Sequence, residues 1–244
     1  ELAIFEDLPP VLILPAGTAN MTASDVGIRG KLTTAVEKLQ RWHRGEIAEN
    51  RTERVLMRVS LDPESAPHYG MFLGAGAVIQ GTEYAHREIH SRGLRDNFSG
   101  ALGVLRTAWG LARNDPQFAT SVAMEIELAE AHGNRHHEVM LLAVSSLKRL
   151  FMGMDPFWGA GPGRIRISII EGGCGRFLRT FQSIARGKAN SFAIPENGYL
   201  SFNSDEITIQ MDGKLNLDGE ILTTSSSNGP VRISASKPVT FIRL

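Results

Sequence analysis

The C-terminal part of the chain most constrains the fold, because its pattern is that of short strands separated by turns. The segments YLSFNS, EITIQMDG, GEILTTS, PVRISAS and VTFIRL follow one another between residues 199 and 243. Within them β-branched and aromatic residues recur, and Gly, Asp, Asn and Ser stand between them. Short strands at such regular spacing are typical of an antiparallel β-sandwich or barrel.

Further strands are predicted upstream. RVLMRVSL and RIRISII show the same character, and residues 121–146 predict a hairpin whose turn lies at residues 132–134. We expect the histidines around this turn, including His136 and His137, to be exposed. Adjacent residues of a strand point to opposite faces, so this pair is poorly suited to binding one metal ion.

The N-terminal part has a different pattern. The apolar run VLIL at residues 11–14 predicts a strand covered on both faces, as in a parallel sheet. Helical spacing follows at residues 18–28 and 30–43, and the polar stretch RGEIAENRTER predicts a connection. The predicted fold class is therefore α+β. Residues 1–50 form the end of an α/β unit, and residues 51–244 form a mostly antiparallel β-sandwich unit with inserted helices.

Composition limits the classes of function. Hydrophobic residues make up 42% of the chain and charged residues 21%, as in ordinary globular proteins. Lys+Arg and Asp+Glu number 26 each, so the chain as a whole has no charge that would attract nucleic acid, and we expect no nucleic-acid partner. Cys174 is the only cysteine, which fits a reducing cytoplasmic compartment. No apolar run approaches the roughly 20 residues that span a bilayer.

A Pro-Ala-Gly-Thr turn joins the first predicted strand to the first predicted helix, and it presents Gly17, Thr18 and Asn20. Glycine allows a ligand to approach the backbone, and free N–H groups at a helix start favour an anion such as phosphate. Thr18 or Asn20 is equally suited to cap the helix. The local pattern alone favours the cap.

Two other segments carry candidate chemistry. HREIHSRGLR, residues 86–95, gathers histidines and arginines that suit phosphate oxygens, although a solvated helix face explains it equally well. MDGKLNLDGEI contains the pairs Asp212-Gly213 and Asp218-Gly219, each a strong hairpin signal. A carboxylate on such a turn is also able to approach a cofactor or a magnesium ion. Helices are further predicted at residues 97–113 and 174–187.

Taken in order, these segments resemble the motifs of the diacylglycerol kinase-like lipid kinases, a family that includes bacterial lipid kinases and the sphingosine and ceramide kinases. LPAGTAN is similar to the family's nucleotide-side motif P-x-G-T/S-x-N-D, and FLGAGAVIQ to the glycine-containing segment that starts its lipid-side domain. HSRGLR is similar to a phosphate-contacting Arg stretch, and LDGEI with the last strands to the closing D-G-E turn.

This resemblance implies an α/β nucleotide domain joined to a β-sandwich domain, with ATP and Mg²⁺ in the cleft between them. It implies transfer of the γ-phosphoryl group of ATP to the hydroxyl of a lipid at a membrane surface, by a cytoplasmic or peripheral protein. The oligomeric state stays open, with a homodimer as one candidate. The residues that the resemblance places beside the nucleotide are Gly17, Thr18, Asn20, Arg92, Arg95 and Glu220.

The chain also departs from the family pattern. The G-G-D-G-T loop, which carries the family's catalytic-site Asp, would lie upstream of residue 1, so we expect residues 1–244 alone to have no kinase activity. Met21 replaces the acidic residue that often follows the motif Asn, and Pro162-Gly163 stands where an Asp-Gly pair is common. These two departures favour one alternative, a non-catalytic lipid-binding or regulatory module. A nicotinamide-nucleotide kinase is the other alternative, because that family shares the loop pattern.

Overall fold

The computed structural model describes residues 8–17, 19–83, 121–128 and 131–244, and for residues 131–135 it describes the backbone only. The arginine-containing segment 86–95 and the helix predicted at 97–113 lie outside the described residues. Within the described part, no helix is long and apolar enough to cross a membrane.

Short helices and strands alternate in the first part of the chain, and the remainder consists mostly of strands. The elements are β1 Val11–Leu12, α1 Met21–Asp25, α2 Leu32–His43, β2 Asn50–Ser60, β3 His68–Gly70, β4 Phe72–Gly76, a helical segment at 77–83, β5 Val122–Leu128, β6 Ala131–Ser145, β7 Ile165–Glu171, α3 Phe177–Ile184, β8 Tyr199–Ser204, β9 Glu206–Met211, β10 Gly213–Leu217, β11 Glu220–Thr224 and β12 Val231–Arg243. Single 3₁₀ turns lie at Phe151–Gly153, Pro195–Asn197 and Ser226–Asn228.

The described strands form one hydrogen-bonded sheet of twelve strands. Its main path runs β11-β10-β4-β6-β5-β9-β12-β2-β3, with β7 beside β6, β8 beside β7 and β1 beside β12. Every pair is antiparallel except β1 with β12. The long strands β6 and β12 carry bulges and change partners along their length, which lets the sheet fold back on itself. The bulge in β12 lies next to Pro238, whose missing N–H makes regular pairing impossible there.

The inward side of this folded sheet holds the main core. It is built from the alternating apolar residues of β2, β4, β5, β6, β7, β8, β9, β10 and β12, among them Val59, Leu73, Ile126, Ile167 and Ile233. Two smaller clusters lie outside it, one under α3 and one under α1. The predicted α+β class with a mostly antiparallel sandwich is confirmed.

Several local predictions need correction. Only Val11 and Leu12 form a strand, and Val11 and Leu14 are exposed, because β12 alone pairs with this segment. Helix α1 covers five residues rather than the whole of 18–28. The polar connection ends earlier than predicted, since β2 already begins at Asn50. The boundary predicted between residues 50 and 51 stays a prediction.

The hairpins also differ in detail. β6 begins at Ala131, which pairs with Leu128, so residues 132–134 belong to this strand and not to a turn as predicted. The pair Asp212-Gly213 joins β9 to β10, but these two strands do not pair with each other. β9 lies between β5 and β12, whereas β10 lies between β4 and β11, so this connection crosses from one part of the sheet to another. Asp212 stabilises it by accepting hydrogen bonds from Ser226.

Candidate functional site

The loop that leads into α1 is closed by Asn20. The backbone N–H of Gly17 donates to Asn20 Oδ1 over 2.9 Å, and Asn20 itself adopts the left-handed conformation, with φ 46°. Asn20 occupies the N-cap position of α1, yet its side chain makes no cap hydrogen bond. The predicted capping role is therefore wrong for Asn20, whose side chain shapes the loop instead. Thr18 lies outside the described residues.

Glycine at residue 17 is not required by the packing of the protein. A Cβ atom added there would meet only Asn20 Oδ1, at 3.5 Å, which is an ordinary contact. The backbone at Gly17 also has no left-handed φ. The space beside Gly17 is therefore open, and a ligand could approach the backbone there without displacing protein atoms.

The turn at Asp218-Gly219 is the tight hairpin that its sequence predicts. Leu217 pairs with Glu220, and both turn residues have positive φ, 49° and 103°. Two consecutive positive φ angles define the type I′ turn, which matches the twist of the two strands. Glu220 is exposed and begins β11, so its side chain is free to face a ligand.

Asp218 is exposed, and its carboxylate is directed toward the start of β4. Its two oxygens accept hydrogen bonds from the N–H groups of Met71 (2.8 Å) and Phe72 (2.9 Å). The residue as a whole stays partly accessible, but its carboxylate lies against protein atoms. Loss of hydration raises the pKa of Asp218, and the two N–H donors only partly offset that effect. Asp218 therefore holds the turn against the start of β4.

Met71 connects this turn to the helix that follows the Pro-Ala-Gly-Thr loop. Its side chain is buried in a cluster with Ala23 of α1, and Phe72 packs against the same cluster. Its carbonyl accepts hydrogen bonds from Ser145 Oγ (2.8 Å) and from the backbone N–H of Ser146 (3.1 Å). The D-G-E turn, the start of the glycine-containing strand β4 and helix α1 are thus joined through one buried residue.

A buried ion pair that the sequence did not reveal fixes the other end of α1. Asp25 Oδ2 accepts a hydrogen bond from Arg54 Nε over 2.6 Å, and the side chains are only 2% and 13% exposed. Asp25 Oδ1 accepts from the backbone N–H groups of Lys148 (2.9 Å) and Arg149 (3.3 Å). The carboxylate therefore ties α1 to β2 and to the chain that follows β6. No local spacing rule connects residues 29 positions apart, so sequence patterns missed this pair.

The glycine-rich stretch at 159–164 is a loop packed against β8. A Cβ atom at Gly159 would lie 2.2 Å from Ser201 C and O, and one at Gly163 would lie 2.0 Å from Ser204 C. Pro162-Gly163, which replaces the family's Asp-Gly pair, therefore belongs to a segment that runs against β8. Asp155, a nearby carboxylate, accepts a hydrogen bond from Arg166 Nη1 of β7 over 2.6 Å.

The prediction that both histidines of β6, His136 and His137, are exposed needs one correction. His136 is exposed as expected, whereas His137 is buried and its Nδ1 lies 2.6 Å from Glu171 Oε1. The two side chains do occupy opposite faces of the strand. Among the described residues no group of three or more His, Cys, Asp or Glu side chains is arranged to hold a metal ion.

Of the six predicted site residues, the structure describes Gly17, Asn20 and Glu220. Arg92 and Arg95 lie outside the described residues, as does Thr18. An exposed carboxylate on a rigid turn and a loop with open space at a glycine suit a nucleotide sugar and its phosphates. An exposed carboxylate also suits Mg²⁺. In phosphate-transfer sites this ion is commonly held by one or two carboxylates together with substrate phosphates and water.

Comparison with known proteins supports the fold. No family model matches the sequence, and no curated protein matches it significantly. Solved structures do match over the whole chain. One is described as a "putative diacylglycerol kinase from Bacillus anthracis str. Sterne", with TM-score 0.60, 16% identity and 72% of that chain covered. A second structure so described has TM-score 0.61, 16% identity and 72% covered. A diacylglycerol kinase structure from the same organism has TM-score 0.54, 13% identity and 70% covered. The predicted resemblance to diacylglycerol kinase-like lipid kinases is thereby confirmed at the level of fold: this chain has the fold of these kinase structures.

Proposed function

We propose that the protein is a lipid kinase that transfers the γ-phosphoryl group of ATP to the hydroxyl of a lipid such as a diacylglycerol or a sphingoid base. ATP and Mg²⁺ are the proposed cofactors, bound in a cleft between the segments 1–50 and 51–244. The proposal also places the protein at the cytoplasmic face of a membrane, where such a lipid is found.

One observation carries the proposal. The Asp218 carboxylate joins the D-G-E turn to Met71 and Phe72, at the start of β4, by two hydrogen bonds. The Met71 side chain in turn packs in a buried cluster with Ala23 of α1. The described segments that suggested a lipid kinase lie up to about two hundred residues apart in sequence. The helix that follows the first of them nevertheless shares a buried cluster with the start of the second, and the D-G-E turn is hydrogen-bonded to that same start. The fold shared with diacylglycerol kinase structures supports the same conclusion.

The roles of the residues follow from their positions. Bound ATP supplies the transferable phosphoryl group, and Mg²⁺ neutralises phosphate charge. Gly17 has no side chain, so the nucleotide is able to approach its backbone closely. Its N–H is not the proposed ligand donor, because it already donates to Asn20 Oδ1. Glu220 is placed to accept a hydrogen bond from the nucleotide sugar or to hold the metal. Arg92 and Arg95 remain the proposed partners of phosphate, and the roles of both rest on the resemblance alone.

The open space at Gly17 allows a sharp test in the full-length gene product. We expect Gly17→Ala to leave the melting temperature unchanged and to raise the KM for ATP about tenfold, because the added methyl group meets the ligand rather than the protein. Gly175→Ala is the matched control, since a Cβ atom there meets nothing within 4 Å and the change likewise disturbs no packing. An unchanged KM and kcat for ATP in Gly17→Ala would contradict the nucleotide role of this loop.

Glu220→Gln provides a second and independent test. We expect a loss of kcat/KM for ATP with unchanged stability, because Glu220 is exposed. Glu206→Gln, at the exposed first position of β9, is the control. Assays with labelled ATP should offer diacylglycerol, sphingosine and a nicotinamide nucleotide in parallel. Phosphorylation of the nicotinamide nucleotide alone, or lipid binding without any turnover, would refute the proposed function.

A further inference from the structure

Helix α3 carries a surface that the proposed site does not use. Its inner face packs on the sheet through Phe177, Thr180 and Ile184, which are buried. Since successive helix residues are turned by about 100°, the opposite side is formed by Leu178, Arg179 and Gln182, and Arg186 follows just after the helix end. All four of these outward residues are exposed.

The loop that follows α3 extends this surface. The guanidinium of Arg176 lies 3.9 Å from the centroid of the Phe192 ring, and Ala193 packs in the same buried cluster as Phe177. The loop is thereby held beside the start of α3, and Ile194 is exposed next to it. We call the combined surface the basic–apolar face, defined by Arg176, Leu178, Arg179, Arg186, Lys188 and Ile194.

The positive charge of this face comes from one short, cation-rich stretch of the chain. Between Cys174 and Pro195 the chain has four cationic side chains and no acidic residue, with Glu171 and Glu196 standing just outside that stretch. Within the described part of the chain, none of the four cations forms an ion pair. Because the whole chain has a net charge of +0, this face is a local concentration of positive charge in a neutral protein.

Apolar side chains stand among these charges. Leu178 and Ile194 are each 41% exposed, although both are large hydrophobic residues. Exposed leucine and isoleucine gain nothing against the phosphate backbone of a nucleic acid, where affinity comes from the cations. At a lipid interface, however, the apolar residues enter the acyl boundary while arginine and lysine remain with the anionic headgroups.

We propose that the basic–apolar face docks the protein on the surface of an anionic lipid bilayer. Complementary charge and the two exposed apolar side chains carry this inference, which does not require ATP or catalysis. Its use in reaching a lipid substrate rests on the proposed kinase function. The geometry suits that use, since Ala77, directly after β4, lies in the same cluster as the inner face of α3.

The test is binding to phosphatidylcholine vesicles with and without phosphatidylserine, measured by co-flotation in the absence of ATP. We expect binding only to the phosphatidylserine vesicles, and weaker binding at high salt. Each cation near an anionic surface contributes about 1 kcal/mol, which is about fivefold in partitioning. Arg179→Ala combined with Arg186→Ala should therefore weaken binding about 25-fold. Leu178→Ser combined with Ile194→Ser should remove the binding that remains at high salt.

Arg232→Ala combined with Lys237→Ala is the matched control. It removes two exposed cations from β12, a strand that does not pair with the strands under α3. An equal loss in this control, or no binding by the unmodified protein, would overturn the proposal. Tighter binding to a DNA duplex through the same arginines would overturn it as well.

Lipid phosphorylation in nonionic detergent micelles separates this proposal from the kinase function. The arginine variant should keep its activity there, because no anionic surface is involved. Activity in micelles together with absent vesicle binding refutes the docking face alone. Vesicle binding with no phosphorylation of any lipid in micelles refutes the kinase function alone.

Discussion

The ion pair between Asp25 and Arg54 anchors α1, and its removal is expected to destabilise the whole protein. Arg54→Met keeps most of the length of the side chain but leaves the Asp25 carboxylate, which is 2% exposed, without its cation. Arg54 also donates to Thr52 Oγ1 over 2.9 Å and to the carbonyl oxygens of Glu53 (2.8 Å) and Asp25 (2.9 Å), so three further hydrogen bonds are lost.

The magnitude follows from the burial of the pair. Breaking a buried ion pair by removing one partner costs about 3–5 kcal/mol, because an uncompensated charge remains in the interior. The N–H groups of Lys148 and Arg149 still donate to Asp25 after the change, which places the expected cost near the lower end, about 3 kcal/mol. For a chain of this length, that corresponds to a fall in melting temperature of about 6–12 °C.

An exposed pair of the same residue types provides the control. Arg164 Nη2 lies 3.0 Å from Asp205 Oδ2, with side chains 48% and 45% exposed. Exposed pairs contribute at most about 1 kcal/mol, so Arg164→Met should have a small effect. Urea unfolding of both variants measures the difference directly. A cost for Arg54→Met no greater than that for Arg164→Met would show that the buried pair does not hold α1.

Two further outcomes are expected from the packing and charge of the site. A Cβ atom at Gly159 would lie 2.2 Å from Ser201 backbone atoms, so Gly159→Ala should cost about 1–3 kcal/mol in unfolding free energy, whereas Gly175→Ala should cost little. The pKa of Asp218 is raised on folding, so the native state holds this proton at pH values where the unfolded chain has lost it. The contribution of Asp218 to the free energy of unfolding is then complete below the unfolded-state pKa of about 3.8, and it is lost as the pH rises through the folded-state pKa. The stability difference between the unmodified protein and Asp218→Asn should therefore shrink as the pH rises across that window, and a difference that grows instead would contradict this assignment.

Local patterns were sufficient where the structure depends on neighbouring residues. Alternating apolar residues placed β7, β8 and β9 almost to the residue, because alternation directly reports which side chains face a core. The turn at Asp218-Gly219 was predicted for a similar reason, since its two positive φ angles are preferences of those residues themselves. The motif order was enough to predict the α+β class and its resemblance to lipid kinases.

The positions of most strands, the tight turn and the fold class therefore follow from local sequence patterns. The pairing of the strands depends instead on tertiary contacts, so that β9 and β10 are separated although an Asp-Gly pair joins them. Tertiary contacts also bury His137, pair Asp25 with Arg54, and hydrogen-bond the Asp218 carboxylate to the start of β4. These outcomes depend on groups far apart in the chain, whose desolvation and hydrogen bonding are settled only when the sheet closes.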